Sequence, residues 1–207
     1  MPFDTNVFIN CPFDDDYRPM LKALVFTLLY LELEPQLSQT ISSSTIRINQ
    51  IKQHIRNSKY GIHDLSRSRA MKKNELPRFN MPYELGLDIG CCEYGGKRYS
   101  EKKALILETE RFHYHKVMSD ISGQDIENHN DDPKILIQKV RNWISTNLSE
   151  KIISGQSEIW VVYNQFNASL ITNLSSTYTV TDLEEMPIGD YIKYAKDWIR
   201  KFKDTRQ

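Results

Sequence analysis

Two carboxylates offer the clearest chemistry in this chain. Glu84 lies in the mostly apolar stretch Arg78-Phe79-Asn80-Met81-Pro82-Tyr83-Glu84-Leu85-Gly86-Leu87-Asp88-Ile89-Gly90. Pro82 belongs in a first helical turn, so Glu84 is expected near a helix N-terminus, where the dipole favours an anion. A capping box would require Met81 as N-cap, and methionine caps poorly. Asn80 is the better cap and moves Glu84 off the box position. Leu87 and Cys91 share its helical face, so the carboxylate is expected to look into a partly apolar pocket. Asp64 closes the strand-like run Lys59 to Leu65 and is followed by Ser66. An Asx turn is the ordinary use of such an aspartate, but the carboxyl end of a central strand also faces a ligand crevice. Across one pocket the two could divide labour, one as nucleophile or cation stabiliser, the other as general acid or substrate anchor.

Other polar residues narrow the chemistry. Asp14, Asp15 and Asp16 follow the first strand and suit a helix cap; they lack the glycine and glutamate spacing of a calcium loop. His63, His113, His115 and Cys11 show no metal-ligand spacing, so no metal is expected. Arg47, Arg67, Arg69 and Arg78 punctuate loops near the crevice, and four guanidinium groups there would suit a phosphate. GxGxxG, Walker A and GxSxG sequences are absent from the chain, which sets aside ordinary dehydrogenase, P-loop and serine-hydrolase readings. Cys91 and Cys92 fall inside a helix rather than at its start, away from the place for a nucleophile.

The elements that must position these residues alternate. Asn6 to Cys11 reads as a strand, Tyr17 to Leu33 as a helix and Glu34 to Leu37 as a weak strand. Thr45 caps a helix to about Ser58, followed by the Lys59 strand. Ser66 to Arg78 is a long basic loop before the Glu84 helix. Lys103 to Glu108 is a fourth strand, and Asp132-Pro133 opens a helix to about Asn147. Such alternation predicts a doubly wound parallel α/β sheet, with its crevice beyond the carboxyl ends of the strands. Phe112 to Ile126 is a long aromatic and polar connection, read as a lid or a subunit interface. After Ser149 the alternation stops. Ser157–Leu174 and Ile188–Lys203 predict two aromatic-faced helices, so residues 1–149 form the α/β unit and 150–207 a helical extension packed on it or on a partner.

Composition sets outer bounds. Lysine plus arginine and aspartate plus glutamate each number 27 in 207 residues, which argues against a general nucleic-acid surface. The apolar run Leu21–Leu33 is too short to span a bilayer, and no N-terminal signal is visible. Three cysteines, two of them adjacent, point to a reducing cytoplasm.

Four segments, "VFINCPFDDDY", "SKYGIHDLS", "RFNMPYELGLDIG" and "KALILE", resemble in order the landmarks of nucleoside 2-deoxyribosyltransferase-like proteins, a superfamily related in fold to TIR domains. Pro12-Phe13, Asp64 and Glu84-Leu85-Gly86 stand where that family has a Pro-Phe loop, a strand-ending Asp and a Glu-x-Gly helix start. The resemblance covers about two-thirds of the chain and implies a flavodoxin-like sheet and cleavage of an N-glycosidic bond. Glu84 would attack or stabilise the anomeric carbon, and Asp64 would assist the leaving base. A helix N-terminus would help keep Glu84 ionised, and Gly86 would allow close packing.

Substrate-binding positions expected on this reading are Pro12, Phe13, Asp14, Tyr17, Arg47, Arg67, Arg78, Asn80, Met81 and Tyr83. The chain is also similar to bacterial TIR-like proteins resembling phage-defence effectors. The bulky Asn80-Met81-Pro82-Tyr83 loop and the C-terminal helices depart from a minimal transferase. An NAD or nucleotide N-glycosidase therefore leads over base exchange, and over a non-enzymatic nucleotide-sensing module. NAD enters as substrate rather than cofactor. The family's sites are often completed across subunits, which implies a homo-oligomer, with a defence-system protein as a further candidate partner.

Overall fold

The computed structural model describes residues 3–38, 46–68, 76–111, 118–121, 123–148 and 152–206. Five parallel strands, β1 (Asn6–Asn10), β2 (Glu34–Leu37), β3 (Tyr60–Asp64), β4 (Lys103–Glu108) and β5 (Ile126–Asn128), form one sheet in the order β2-β1-β3-β4-β5. Among the described residues seven α-helices accompany it: α1 (Arg18–Tyr30), α2 (Arg47–Asn57), α3 (Asn80–Tyr94), α4 (Pro133–Asn147), α5 (Gln156–Leu174), α6 (Val180–Glu184) and α7 (Ile188–Asp204). The expected doubly wound α/β fold is therefore present, with the 2-1-3-4-5 order whose winding reverses between β1 and β3.

Strand alternation assigns the two faces. Val7, Ile9, Ile62, Leu105 and Leu107 join α1, α4, α5 and α7 in one core; Phe8 packs with Ile51 and Ile55 of α2, and Ile106 with Met81 and Leu85 of α3. Helix α1 is buried almost all round, from Met20 to Tyr30, because the sheet lies beneath it and α4, α5 and α7 press on its remaining sides. That is the fate of a helix apolar on every face. The C-terminal helices thus pack on the α/β unit, where Phe26 of α1 stacks on Phe166 with centroids 5.3 Å apart.

Several expectations need correction. Asn80 is the first residue of α3 rather than its cap; Phe79 occupies the cap position and makes no side-chain cap bond. Glu84 consequently lies beyond the first turn. The tyrosine at 17 closes a 3-10 turn, Asp15–Tyr17, capped by Asp14, and α1 starts only at Arg18. Thr45 lies outside the described residues, and α2 begins at Arg47 after Ile46. Strand β5 falls at the end of the connection read as a lid or interface. Met118, Ile121 and Ile126 of that connection pack on Leu65, Met81, Leu85 and Ile106, so this part fills in beside α3; 112–117 and 122 lie outside the described residues. The threonine-rich linker holds α6, closed by a reciprocal capping box between Thr179 and Asp182.

A buried polar network fixes α3 on the sheet. Asn10 donates its amide to the Met81 carbonyl at 2.8 Å and to His63 Nδ1 at 3.0 Å. With Nδ1 accepting, Nε2 carries the proton and donates to Asp88 at 2.9 Å. Lys102 Nζ lies 3.0 Å from the other Asp88 oxygen and donates to the Ile55 carbonyl at 2.9 Å. Burial alone would raise the Asp88 carboxyl, but His63 and Lys102 together hold it below its ordinary value.

Gly61 makes the network fit, since a Cβ there would lie 2.2 Å from Asp88 Oδ2 and 2.7 Å from His63 Nε2. Gly86, expected to allow close packing, is exposed and a Cβ would meet nothing within 4 Å. Two substitutions separate these glycines in urea unfolding. Gly61→Ala lowers stability by about 1–3 kcal/mol through overpacking. Gly86→Ala raises it by about 0.5–1 kcal/mol through helix propensity; equal effects would refute the assignment of the close approach to Gly61.

Candidate functional site

The carboxyl ends of β1 and β3, where the winding reverses, gather the predicted residues into three groups. The first surrounds Glu84. Helix α3 turns this residue toward α2, on the face shared by Leu87 and Cys91, which border the Phe8–Ile51–Ile55 cluster. Only 6% of Glu84 is exposed. Burial pushes its carboxyl up from 4.5 to about 7, and the Arg47 guanidinium opposes this only in part. The expectation that the helix N-terminus keeps Glu84 ionised is thereby reversed: the dipole fades beyond the first turn, and desolvation dominates. Arg47 also lies 6.0 Å from the Phe13 ring centroid and within 3.4 Å of Ser38 Oγ. Glu84, Arg47 and Phe13 are therefore brought together.

The second group is closed around Asp64. This side chain is fully buried and accepts from Tyr17 Oη at 2.5 Å, His129 Nε2 at 2.8 Å, the Ser66 backbone N–H at 2.9 Å and the Ser66 hydroxyl. Asp131 N–H donates to His129 Nδ1 at 3.1 Å, which leaves the proton on Nε2 facing Asp64. Burial works to raise the Asp64 carboxyl; His129, Ser66 and Tyr17 outweigh it and hold it below its ordinary value. Glu84 is not among the partners of Asp64. The buried thiol of Cys11 feels both: burial raises it, and the negative charges of Asp64, Glu84 and Asp14 raise it further.

Asp14, Arg67 and Arg78 make the third group. Arg67 Nε and Nη2 donate to the two Asp14 oxygens at 3.2 and 3.3 Å, and Arg78 Nη1 approaches Asp14 Oδ2 at 3.4 Å. The Arg78 N–H bonds the Arg67 carbonyl at 2.9 Å, drawing the two ends of the basic loop together. Pro12 is buried beside Cys11, Asn80 and Tyr83 are exposed at the start of α3, and the Met81 side chain is core. Arg69 and the histidines at 113 and 115 lie outside the described residues.

His129 was not expected to take part. It stands one residue beyond β5, a strand of three residues with too little alternation to be read; a strand placed just before the Asp132-Pro133 helix start would have revealed it. Asn10, His63, Asp88 and Lys102 form a support that pattern alone does not reveal, because their partners are remote in sequence. A separate cleft of about 1310 Å³, lined by Phe3, Asn6, Glu34, Arg98 and Pro187 among others, lies at the opposite ends of β1 and β2 and contains none of the predicted residues.

The two carboxylates have opposite effects on stability. Asp64 is stabilising above its ordinary value of 3.8, and that contribution is lost as pH falls through its lower folded value. Asp64→Asn therefore costs about 3 kcal/mol at pH 7 and flattens the acid limb, as read by urea unfolding at pH 7 and pH 3. The folded state holds the Glu84 proton above 4.5, so stability declines as pH rises from 4.5 to about 7 and is level beyond. Glu84→Gln raises the melting temperature at pH 8, with an advantage that shrinks toward pH 5. A loss at pH 8 would contradict a desolvated charge at this position.

No protein-family model, curated protein or solved structure matches this chain, so the chemistry of the site itself carries the functional reading.

Proposed function

We propose that the protein is an N-glycosidase that cleaves the bond between a base and the ribosyl C1′ of NAD or a nucleotide, with Glu84 as the reacting carboxylate. The observation that supports this most strongly is Glu84 itself: a desolvated carboxylate with a carboxyl near 7 at the reversal point of a doubly wound sheet. In the reaction the C1′–N bond breaks and its electron pair leaves with the base. The Glu84 carboxylate stabilises the oxocarbenium-like C1′ or bonds to it, and water then adds its oxygen to C1′ while releasing a proton.

Asp64 serves better as a positioning group than as the general acid. Its oxygens are occupied by Tyr17, Ser66 and His129, and its carboxyl is held ionised. One reactive carboxylate without a partnered acid favours a base that departs without taking up a proton. The pyridinium nitrogen of NAD is such a leaving group, since it becomes neutral when the bond breaks. A purine departs more easily after protonation, so NAD leads among the substrates. The defence setting, with a homo-oligomer or a partner protein, remains what the resemblance to TIR-like effectors implies.

Purified protein incubated with NAD, a nucleoside monophosphate or a deoxynucleoside should release free base, NAD fastest, with release rising as pH passes through about 7. Glu84→Gln should slow release by about 10²–10³-fold or more. An added acceptor base distinguishes hydrolysis from exchange. Unchanged turnover in Glu84→Gln would remove that residue from the mechanism, whereas ligand-induced stabilisation without turnover would identify a binding module.

A further inference from the structure

Arg67 is more buried than a surface ion pair requires. Its side chain is 9% exposed, and the donors facing Asp14 occupy only the Nε and Nη2 edge of its fork. The remaining nitrogen, Nη1, is enclosed and has no hydrogen-bond partner among the described residues. An enclosed guanidinium nitrogen without an acceptor is a costly arrangement. Arg78 stands beside it, tied by its backbone to the Arg67 carbonyl, with 46% of its side chain exposed and, among the described residues, one long ionic contact, to Asp14. Two guanidinium groups thus share the Asp14 carboxylate, while the negative charges of Asp131 and Asp64 also act on Arg67. They do so where the ends of β1 and β3 diverge, the place at which doubly wound sheets receive ligands.

We infer that Arg67 and Arg78 form a phosphate subsite, with Asp14 holding the fork in place, and that the protein selects phosphorylated substrates over free nucleosides. The inference rests on the N-glycosidase reading for the meaning of selection, but the binding of phosphate stands apart from it. A phosphate oxygen on Nη1 supplies the missing acceptor, and a second oxygen meets the exposed donors of Arg78. Guanidinium and phosphate match in bidentate geometry, which an ammonium group does not reproduce. A nucleoside monophosphate and the pyrophosphate of a dinucleotide share this chemistry. Asp14 has two opposed effects: it orients Arg67 and it competes for the same charge.

The test begins with binding, by calorimetry of the full chain with inorganic phosphate and pyrophosphate. Wild type is expected to bind one of these saturably, more weakly as salt rises. Arg78→Ala, at a half-exposed position where folding is not at risk, weakens that binding about tenfold or more. Asp14→Asn retains a cap for the Tyr17 N–H and removes the competing charge, so it tightens binding several-fold. No saturable binding in wild type and Asp14→Asn alike, or equal binding in Arg78→Ala, overturns the subsite.

Base release then separates the sources: a nucleoside monophosphate, its unphosphorylated nucleoside and NAD. The subsite predicts that kcat/KM for the phosphorylated compounds exceeds that for the nucleoside, and that Arg78→Ala erases the difference. Equal release from the nucleoside, abolished by Glu84→Gln, overturns the subsite and keeps the N-glycosidase reading. Arg78-dependent phosphate binding with no base release from any compound keeps the subsite and overturns the N-glycosidase.

Discussion

The position of Glu84 depends on the buried contact between Asp88 and His63. Asp88 lies one turn beyond Glu84 on α3, and its oxygens meet His63 at 2.9 Å and Lys102 at 3.0 Å. Asn10 extends the same network from the end of β1 to the Met81 carbonyl, three residues before Glu84. The helix is therefore held on both sides of Glu84, at Met81 and at Asp88. Apolar packing alone, from Met81 and Leu85, is non-directional. Hydrogen bonds between buried partners add the angular restraint that a catalytic carboxylate requires. The missing side chain at Gly61 allows Asp88 to approach this closely.

Glu84 and Asp64 show how one type of residue acquires opposite properties at one crevice. Asp64 is fully enclosed, yet its negative charge is matched by donors on every side, and it stays ionised. Glu84 is enclosed with only the attraction of Arg47 to offset burial, and its proton is held to about 7. The number of donors, rather than depth, decides the outcome. Asp64 therefore contributes to the rigidity of the β1–β3 junction through Tyr17 and His129. Above about pH 7 Glu84 carries a charge that, among the described residues, is offset in part by Arg47, and a weakly neutralised carboxylate is the condition for acting on a developing cation.

Much of this architecture was legible in the sequence. Lys103–Glu108 and the Asp132-Pro133 helix start have sharp local signals, a compact aliphatic run and a capped proline, and both were placed correctly. The parallel sheet followed from the alternation of such elements. Glu84, Arg47 and Phe13 lie near one another at the ends of β1 and α2. What escaped has physical reasons. Strand β5 is three residues long, and its pairing with β4 rather than its own pattern makes it a strand. The Asp64 network joins residues 17, 64, 66 and 129, and no local rule connects them. Glu84 lies two residues further into α3 than a start at its proline implies, because Asn80 and Met81 already have helical geometry. That two-residue difference moves it beyond the first turn, out of the strong part of the dipole, and changes which force sets its proton affinity.

The same displacement clarifies why Arg47 matters. At the helix terminus, free backbone N–H groups would have supplied fixed positive potential to the carboxylate. Beyond the first turn, the backbone N–H groups are engaged within the helix, and the nearby positive charge comes from a side chain on a different element, the first residue of α2. A charge on α2 can be turned toward Glu84 or toward an incoming anion, whereas a helix dipole cannot be redirected. Arg47 already lies close to the Phe13 ring and the Ser38 hydroxyl, so its hold on Glu84 is shared. A ligand that recruits Arg47 away would leave Glu84 more basic, and one whose cationic ring lies against Glu84 would favour the ionised form. On the proposed reading, the protonation state of Glu84 would thus be set by what occupies the crevice, which would couple substrate recognition to the readiness of the carboxylate without any movement of the sheet.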